Sequence, residues 1–301
     1  MITNFAELEK LARDKAKDPV LMACVEPHEP ALLRALDKAI KIRLVKPVLI
    51  GDEKAIAVAS REAGVDTLGW ELVRSTDPDH SAYTALELIR DKKVGGVCKG
   101  VFGVKDFLSL LFERKLGFRA GHNLVSGVFA CKLENLDRML LVADPVVCPQ
   151  PELMDLVAIL NNTVGFAHKL DNKTPKVALL AAVEVIYPQM PVTIEEAVIA
   201  KMADKGQIKG CLVDGPLSMD VAVSESAAKE KGATGQVAGH ADILISPNLA
   251  TSYGVYKAFA MYTKCEYGLV LVGGQVPAVV SSSNDSELVK YNSLLLAIAA
   301  S

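Results

Sequence analysis

Near its C-terminal end the sequence reads VVSSSNDSELVKYNS (279–293), with three hydroxyls in a row, an amide and two acids. This clump follows the apolar run GLVLVGGQVPAVV and leads into a last stretch that reads as helix. Holding an anion takes hydroxyls, backbone N–H groups at a helix start and at least one cation. Ser281, Ser282 and Ser283 with Asp285 offer hydroxyls just ahead of a helix, whose first turn carries partial positive charge. The bland alternative is an ordinary cap, since serine caps helices well. Candidate cations are Lys99, between the apolar VGGVC and Gly100, Arg119 in GFRAG, and Lys257 beside Tyr256. Each has a plain alternative as a solvated side chain. Glu184 and Asp214 end two successive apolar segments, and Asn248 follows a third, ADILISP. A carboxylate buried at such a place is costly unless it has a partner or a task, although Asp214 can equally cap the next helix and Asp220 face solvent. His28 and His122 are candidate acids or bases by type alone, against the alternative of surface loop histidines.

The elements that must position these residues alternate regularly. PVLMACV, KPVLIGD, VGGVCKG, KVALLAAV, KGCLVDGP, ADILISP and YGLVLVGG read as short strands. Between them HEPALLRALDKAIKI, EKAIAVASREAG, DHSAYTALELIRDKK, KDFLSLLFERKLG, TIEEAVIAKMADKG, SMDVAVSESAAKEKG and SYGVYKAFAMYTKC carry helical spacing. Thr193 is expected to cap the fifth of these helices, with a carboxylate at the third helical position. GVFACKL and RMLLVAD look like a strand pair, and PELMDLVAILNNTVGFAHKL a long helix with proline near its start. Apolar strands separated by helices predict an α/β fold with mostly parallel sheets covered on both faces. The expected division is 1–141 plus 283–301 against 142–282, with VADPVVCPQPE as the crossing segment. Ligands of such sheets sit at the carboxyl ends of strands, where the residues above fall. No GxGxxG after a strand, GxxxxGK[ST], HExxH or GxSxG is present, which argues against a Rossmann dinucleotide site, a P-loop, a zincin and a hydrolase elbow.

Bulk properties narrow the class further. The chain has 301 residues, 50% hydrophobic, a net charge of −3 and only 5% aromatics, so nothing favours nucleic acid or an anionic membrane. The opening MITNFAELEKLARDKAKDP lacks an apolar core behind a basic region, and no run approaches a membrane span. Six scattered cysteines without a CxxC pair read as buried thiols of a reducing compartment, so a cytoplasmic globular protein is expected.

Several segments, in this order, resemble the phosphate acetyl/butyryltransferase family, most closely its butyryltransferase branch. They are PKVALLAAVEVIYPQMP (175–191), DGPLSMDVAVS (214–224), VAGHADILISP (237–247) and the frame Ser282, Asp285, Lys290, Asn292, Ser293, with CKGVFGVKDFL (98–108) and GFRAG (117–121) fitting a weaker pattern. The resemblance covers nearly the whole chain. It implies two α/β domains of the isocitrate/isopropylmalate dehydrogenase type with an active-site cleft between them. It implies acyl transfer between coenzyme A and inorganic phosphate, a homodimer or larger homo-oligomer, and no metal or other cofactor. Under it Ser282, Asp285 and Glu184 are the expected catalytic groups. Lys99, Arg119, Ser281, Ser283, Asn248, Lys257 and Asp214 are the expected substrate-binding groups.

This chain departs from the family pattern at several positions. Ser283 stands where the terminal motif usually has arginine, and Val289 where the acetyltransferase branch has an acid. Asn248, Ser252 and Tyr253 replace an acid, a glycine and an asparagine; Gly103 and Val104 replace a hydroxyl pair; His122 stands for an arginine. Two principal readings follow: a short-chain acyl-CoA:phosphate acyltransferase, and a non-catalytic or regulatory acyl-CoA-binding protein on the same fold. A hydroxy-acid dehydrogenase would want a cluster of metal-binding aspartates that the sequence does not offer.

Overall fold

The computed structural model describes residues 2–113, 118–119 and 123–301. They form two compact units, one of residues 5–125 and 267–301, the other of residues 1–4 and 126–266. The former is called the discontinuous unit below, the latter the central unit.

The discontinuous unit opens with α1 (Phe5–Lys15) and continues β1 (Val20–Val25), α2 (Pro30–Lys41), β2 (Val45–Gly51), α3 (Glu53–Ala63), β3 (Glu71–Arg74), α4 (Pro78–Arg90), β4 (Gly96–Lys99) and α5 (Val104–Leu111). Helix starts follow from local chemistry: Pro30 and Pro78 sit in the first turn, where a missing N–H costs nothing. Asp52 caps α3 by accepting from the Ala55 N–H at 2.8 Å, and Gly64 ends it in the left-handed region. In α2 the buried residues Leu32, Leu33, Ala35, Leu36 and Ala39 make one apolar stripe.

The central unit holds β5 (Ser126–Lys132), β6 (Met139–Ala143), α6 (Leu153–Lys169), β7 (Lys176–Leu180), α7 (Val192–Asp204), β8 (Leu212–Leu217), α8 (Met219–Val223), α9 (Glu225–Glu230), β9 (Ile243–Ile245) and α10 (Leu249–Tyr262). Its strands lie in the order β5-β6-β9-β7-β8, antiparallel only at β5 and β6. The chain then returns as β10 (Glu266–Val272), β11 (Ala278–Val279) and α11 (Glu287–Ala300). In the discontinuous unit the order is β3-β2-β1-β4-β11-β10, parallel except between β11 and β10.

The units divide at 125/126 and 266/267, where the sequence led to an expected division at 141/142 and 282/283. The β5–β6 hairpin is joined to β9, whereas β11 lies beside β4.

Other expectations need correction. SMDVAVSESAAKEKG is two short helices, because Ser224 is extended and caps α9 through the Ala227 N–H at 3.3 Å. Thr193 lies inside α7, not at its cap. Its hydroxyl is tied to Tyr187 and Met190. Of the six cysteines, Cys24, Cys98 and Cys131 are buried and the other three are partly exposed. No described helix is long and apolar enough to cross a membrane.

The last helix, α11, is buried from Val289 to Ala300, and its polar residues are matched by partners. Ser293 Oγ donates to the Val289 carbonyl at 2.8 Å and accepts from the Leu269 N–H at 3.0 Å, while Asn292 Nδ2 donates to the Tyr267 carbonyl at 3.2 Å. Gly268 makes this approach possible, since a Cβ there would lie 2.9 Å from backbone atoms of Asn292 and Ser293.

Candidate active-site groups

In the discontinuous unit β1, β2, β4 and β11 are parallel, so their carboxyl ends share one edge of the sheet. Four short segments leave that edge and bring polar groups together. Directly after β1 the chain turns through Glu26, whose φ of +48° is a left-handed conformation that costs a glutamate on the order of 1 kcal/mol. Gly100 after β4 makes room for this turn, because a Cβ there would lie 2.1 Å from the Glu26 carbonyl oxygen. The Gly100 and Val101 N–H groups donate to the Val25 and Glu26 carbonyls at 2.7 and 2.8 Å.

Lys99, the last residue of β4, is 1% exposed, and its Nζ donates to the Gly100 carbonyl at 3.1 Å. Burial pulls its ammonium below the usual lysine range, and the Lys290 charge adds to this; Glu29 and Asp285 act in the opposite direction. Lys290 on α11 is fully buried. Its Nζ lies 3.0 Å from Glu29 Oε1 and donates to the Ser282 carbonyl at 2.7 Å. The contact to Glu29 is an ion pair without hydrogen-bond geometry, and Glu29 Oε2 has no hydrogen-bond partner among the described residues.

The serine run after β11 lies at the same edge. Ser281 is 1% exposed, with a hydroxyl that finds no partner among the described residues, whereas Ser283 is exposed. Asp285 organises the turn by accepting from the Ser282 N–H at 2.8 Å, and Ser282 Oγ accepts from the Asn284 N–H at 3.3 Å. The helix cap proper is Ser286, which accepts from the Val289 N–H, so the serine run stands apart from the first turn of α11. Two buried ammonium groups, Lys99 and Lys290, and the unpartnered Ser281 hydroxyl give this edge donors for an anion, beside the buried carboxylates Glu26 and Glu29. Arg119 is exposed, with its guanidinium 4.7 Å above the Phe112 ring and its backbone bridged to Gly274. His28 stands beside Glu26, while His122 lies outside the described residues.

The central unit gathers a second set. Glu184 accepts from the Ser218 hydroxyl, which also lies 2.6 Å from Asp220 Oδ1. Lys231 Nζ reaches Ser218 Oγ at 3.0 Å, Glu184 at 3.2 Å and Asp220 at 3.2 Å. The Ser218 hydroxyl first, and Lys231 after it, hold the Glu184 carboxyl below the usual range, which makes it a weak base. Asp214 instead is pushed up by burial, against the hydrogen bond it accepts from the Gly215 N–H at 2.9 Å. Asn248 caps α10 by accepting from the Thr251 N–H at 2.9 Å. Lys257 sits on that helix with its Nζ 3.2 Å from the Tyr256 hydroxyl and 4.3 Å above the Tyr256 ring.

Lys99, Ser281, Ser282, Ser283 and Asp285 therefore meet at one strand edge, while Glu184 joins a cluster of its own with neither Asp214, Asn248 nor Lys257 among its partners. Nothing in the sequence marked Glu26 and Glu29 as site residues, and Lys290 entered only as part of the C-terminal frame of the resemblance. The available signal was Lys290, Asn292 and Ser293, polar residues ahead of the apolar run LLLAIAA that ends the helix.

Residues 76–298 match the family described as Phosphate acetyl/butaryl transferase. A phosphate butyryltransferase from Clostridium acetobutylicum is 38% identical over 297 residues, covering 99% of this chain and 98% of the relative. A phosphate acetyltransferase from Thermotoga maritima is 33% identical over 290 residues, covering 96% and 97%. Among solved structures, a branched-chain phosphotransacylase from Enterococcus faecalis superposes with a TM-score of 0.82 at 25% identity, covering 93% of this chain and 98% of that one. The chain belongs to the phosphate acetyl/butyryltransferase family.

Proposed function

We propose that this protein transfers a short acyl group, butyryl or a close relative, between coenzyme A and inorganic phosphate. The observation that carries the reading is the strand edge where Lys99 and Lys290 are buried beside the Ser281–Ser283 run, in a chain 38% identical to a phosphate butyryltransferase. Phosphate would be held by the ammonium of Lys99 and the hydroxyls of Ser281 and Ser282, with Arg119 as a further cation. One phosphate oxygen attacks the thioester carbonyl, the C–S bond breaks, and the fixed positive charges offset the developing oxyanion without reorganising. Asp285 keeps the serine turn in shape. Ser283 would face phosphate with a neutral hydroxyl where the resemblance implies an arginine, which predicts weak phosphate binding. Asp214, Asn248 and Lys257 would serve coenzyme A binding, and the protein would work as a homo-oligomer in the cytoplasm.

The test is thiol release from a panel of acyl-CoAs by purified protein, with phosphate and then with arsenate as acceptor. Acceptor-dependent release with a preference for short chains is expected, together with thermal stabilisation by coenzyme A. Coenzyme A binding without turnover would support a regulatory acyl-CoA-binding role instead. Neither binding nor release would overturn both.

A further inference from the structure

We propose that His28, oriented by Glu26, is the group that carries the proton between the attacking phosphate and the departing thiol. The inference rests on the acyl-transfer reading above. Glu26 is 4% exposed at the end of β1, and its Oε1 accepts from the Ser81 hydroxyl of α4 at 2.5 Å. Gly51, at the end of β2, leaves space for this carboxylate; a Cβ there would lie 3.3 Å from Oε1. Its second oxygen, Oε2, lies 3.4 Å from Nδ1 of His28. That nitrogen is buried and has no other partner among the described residues, while the side chain as a whole is 26% exposed. The contact lacks hydrogen-bond geometry as it stands; a proton carried on Nδ1 faces the carboxylate and leaves Nε2 as the acceptor. Ser81 plays the third part, fixing the carboxylate that fixes the ring.

His28 lies in the segment that leaves the carboxyl edge of the sheet after β1, three residues beyond Val25. Glu29, one residue further on, meets Lys290, and Lys290 donates to the Ser282 carbonyl. The charged groups that meet at that edge are Glu26 and Glu29 from the segment after β1, Lys99 from β4, and Asp285 and Lys290 from the C-terminal segment. Asp285 is committed to the Ser282 N–H, and the Glu184 carboxylate is held ionised by its own partners, so neither is well suited to taking a proton. In the forward direction hydrogen phosphate attacks the thioester carbonyl carbon through oxygen. A C–O bond forms and the C–S bond breaks. The proton lost by the phosphate oxygen goes to Nε2 of His28 and from there to the coenzyme A sulfur, leaving acyl phosphate, free thiol and a neutral imidazole.

The experiment measures phosphate-dependent thiol release against pH for wild type, His28→Ala, His28→Gln and Glu26→Gln, each checked for cooperative thermal unfolding. Removing a general acid–base group lowers kcat by about 10²–10⁴. Both His28 variants should fall in that range with KM for phosphate changed less than threefold, and added imidazole should restore part of the His28→Ala rate. Glu26→Gln should lower kcat with KM for phosphate changed less than threefold, because the ring loses the group that orients it. The titration of phosphate itself is common to all variants and cancels in the comparison. A folded His28→Ala protein with kcat within threefold of wild type and an unchanged profile overturns the proposal, as does a loss confined to KM. These outcomes leave acyl transfer standing, whereas a wild-type protein that releases no thiol from any acyl-CoA overturns acyl transfer and this role with it.

Discussion

Ser283 and Lys290 differ only modestly in sequence context yet lead to opposite expectations. Ser283 is exposed, so an arginine fits without displacing the core. Ser283→Arg is expected to raise kcat/KM for phosphate about tenfold, which corresponds to about 1.4 kcal/mol. Steady-state kinetics with varied phosphate decide it, and an unchanged value with loss of activity in Arg119→Ala would mean that Arg119 already supplies the charge. Lys290 is buried against Glu29, so Lys290→Met strands a buried carboxylate, and denaturant melts should show a loss of about 3–5 kcal/mol. Adding Glu29→Gln should recover most of it, because the penalty lies in the uncompensated charge. Residue types at strand ends were legible in the sequence, and Lys99 and the serine run lie where the alternation put them. The partners were not. Glu29 and Lys290 lie far apart in the chain, and only folding reveals that each is the other's counter-charge. Glu26 was hidden because a non-glycine residue with φ of +48° leaves no trace in composition.

Among the elements, long periodic helices and apolar parallel strands were readable, but short pieces with mixed signals were not. β3 is only four residues, ELVR, with a charge at each end, and the break between α8 and α9 depends on one extended serine. Helix α7 carries a feature that periodicity could not flag. Glu196 on it is 2% exposed, and neither carboxyl oxygen has a hydrogen-bond partner among the described residues. Burial, with Glu195 as a lesser cause, pushes its pKa from 4.5 up to about 8. The folded chain thus keeps a proton that the unfolded chain releases above about 4.5. Stability from this group is present at low pH and is lost as pH rises through about 8. Urea denaturation at pH 5 and pH 9 should show the wild type weaker at the higher pH. Glu196→Leu should flatten that difference and gain a few kcal/mol at pH 9, taking about 1.4 kcal/mol per unit of pKa shift. An identical pH dependence in the variant would show that Glu196 is ionised and solvated in the folded protein.

At the scale of the whole molecule, the decisive fact is that one unit is continuous in sequence and the other is not. Apart from residues 1–4, the central unit is the single segment 126–266, whereas the other needs 5–125 and 267–301 together. The two parts of the latter are joined through contacts very distant in sequence. The Tyr291 hydroxyl donates to Glu9 at 2.6 Å, Arg34 Nε donates to Glu287 at 2.8 Å, and β11 runs beside β4. Helix α11 brings an unbroken run of buried residues, Leu294, Leu295, Leu296 and Ile298 among them, and a fully buried leucine or isoleucine is worth about 1.5–3 kcal/mol. Without residues 267–301 β4 loses β11 on one side, the apolar side of α2 is left open, and Glu29 loses Lys290. Residues 126–266 expressed alone are therefore expected to unfold cooperatively on heating. Residues 1–125 alone should show no cooperative transition and should bind hydrophobic dye. A rearranged chain placing 267–301 ahead of 5–125 through a flexible linker should recover the transition, because it restores the contacts and shortens the loop that must close. Calorimetry on the three proteins decides the matter. A sharp transition in 1–125 would show that α11 and β11 decorate a core that stands without them.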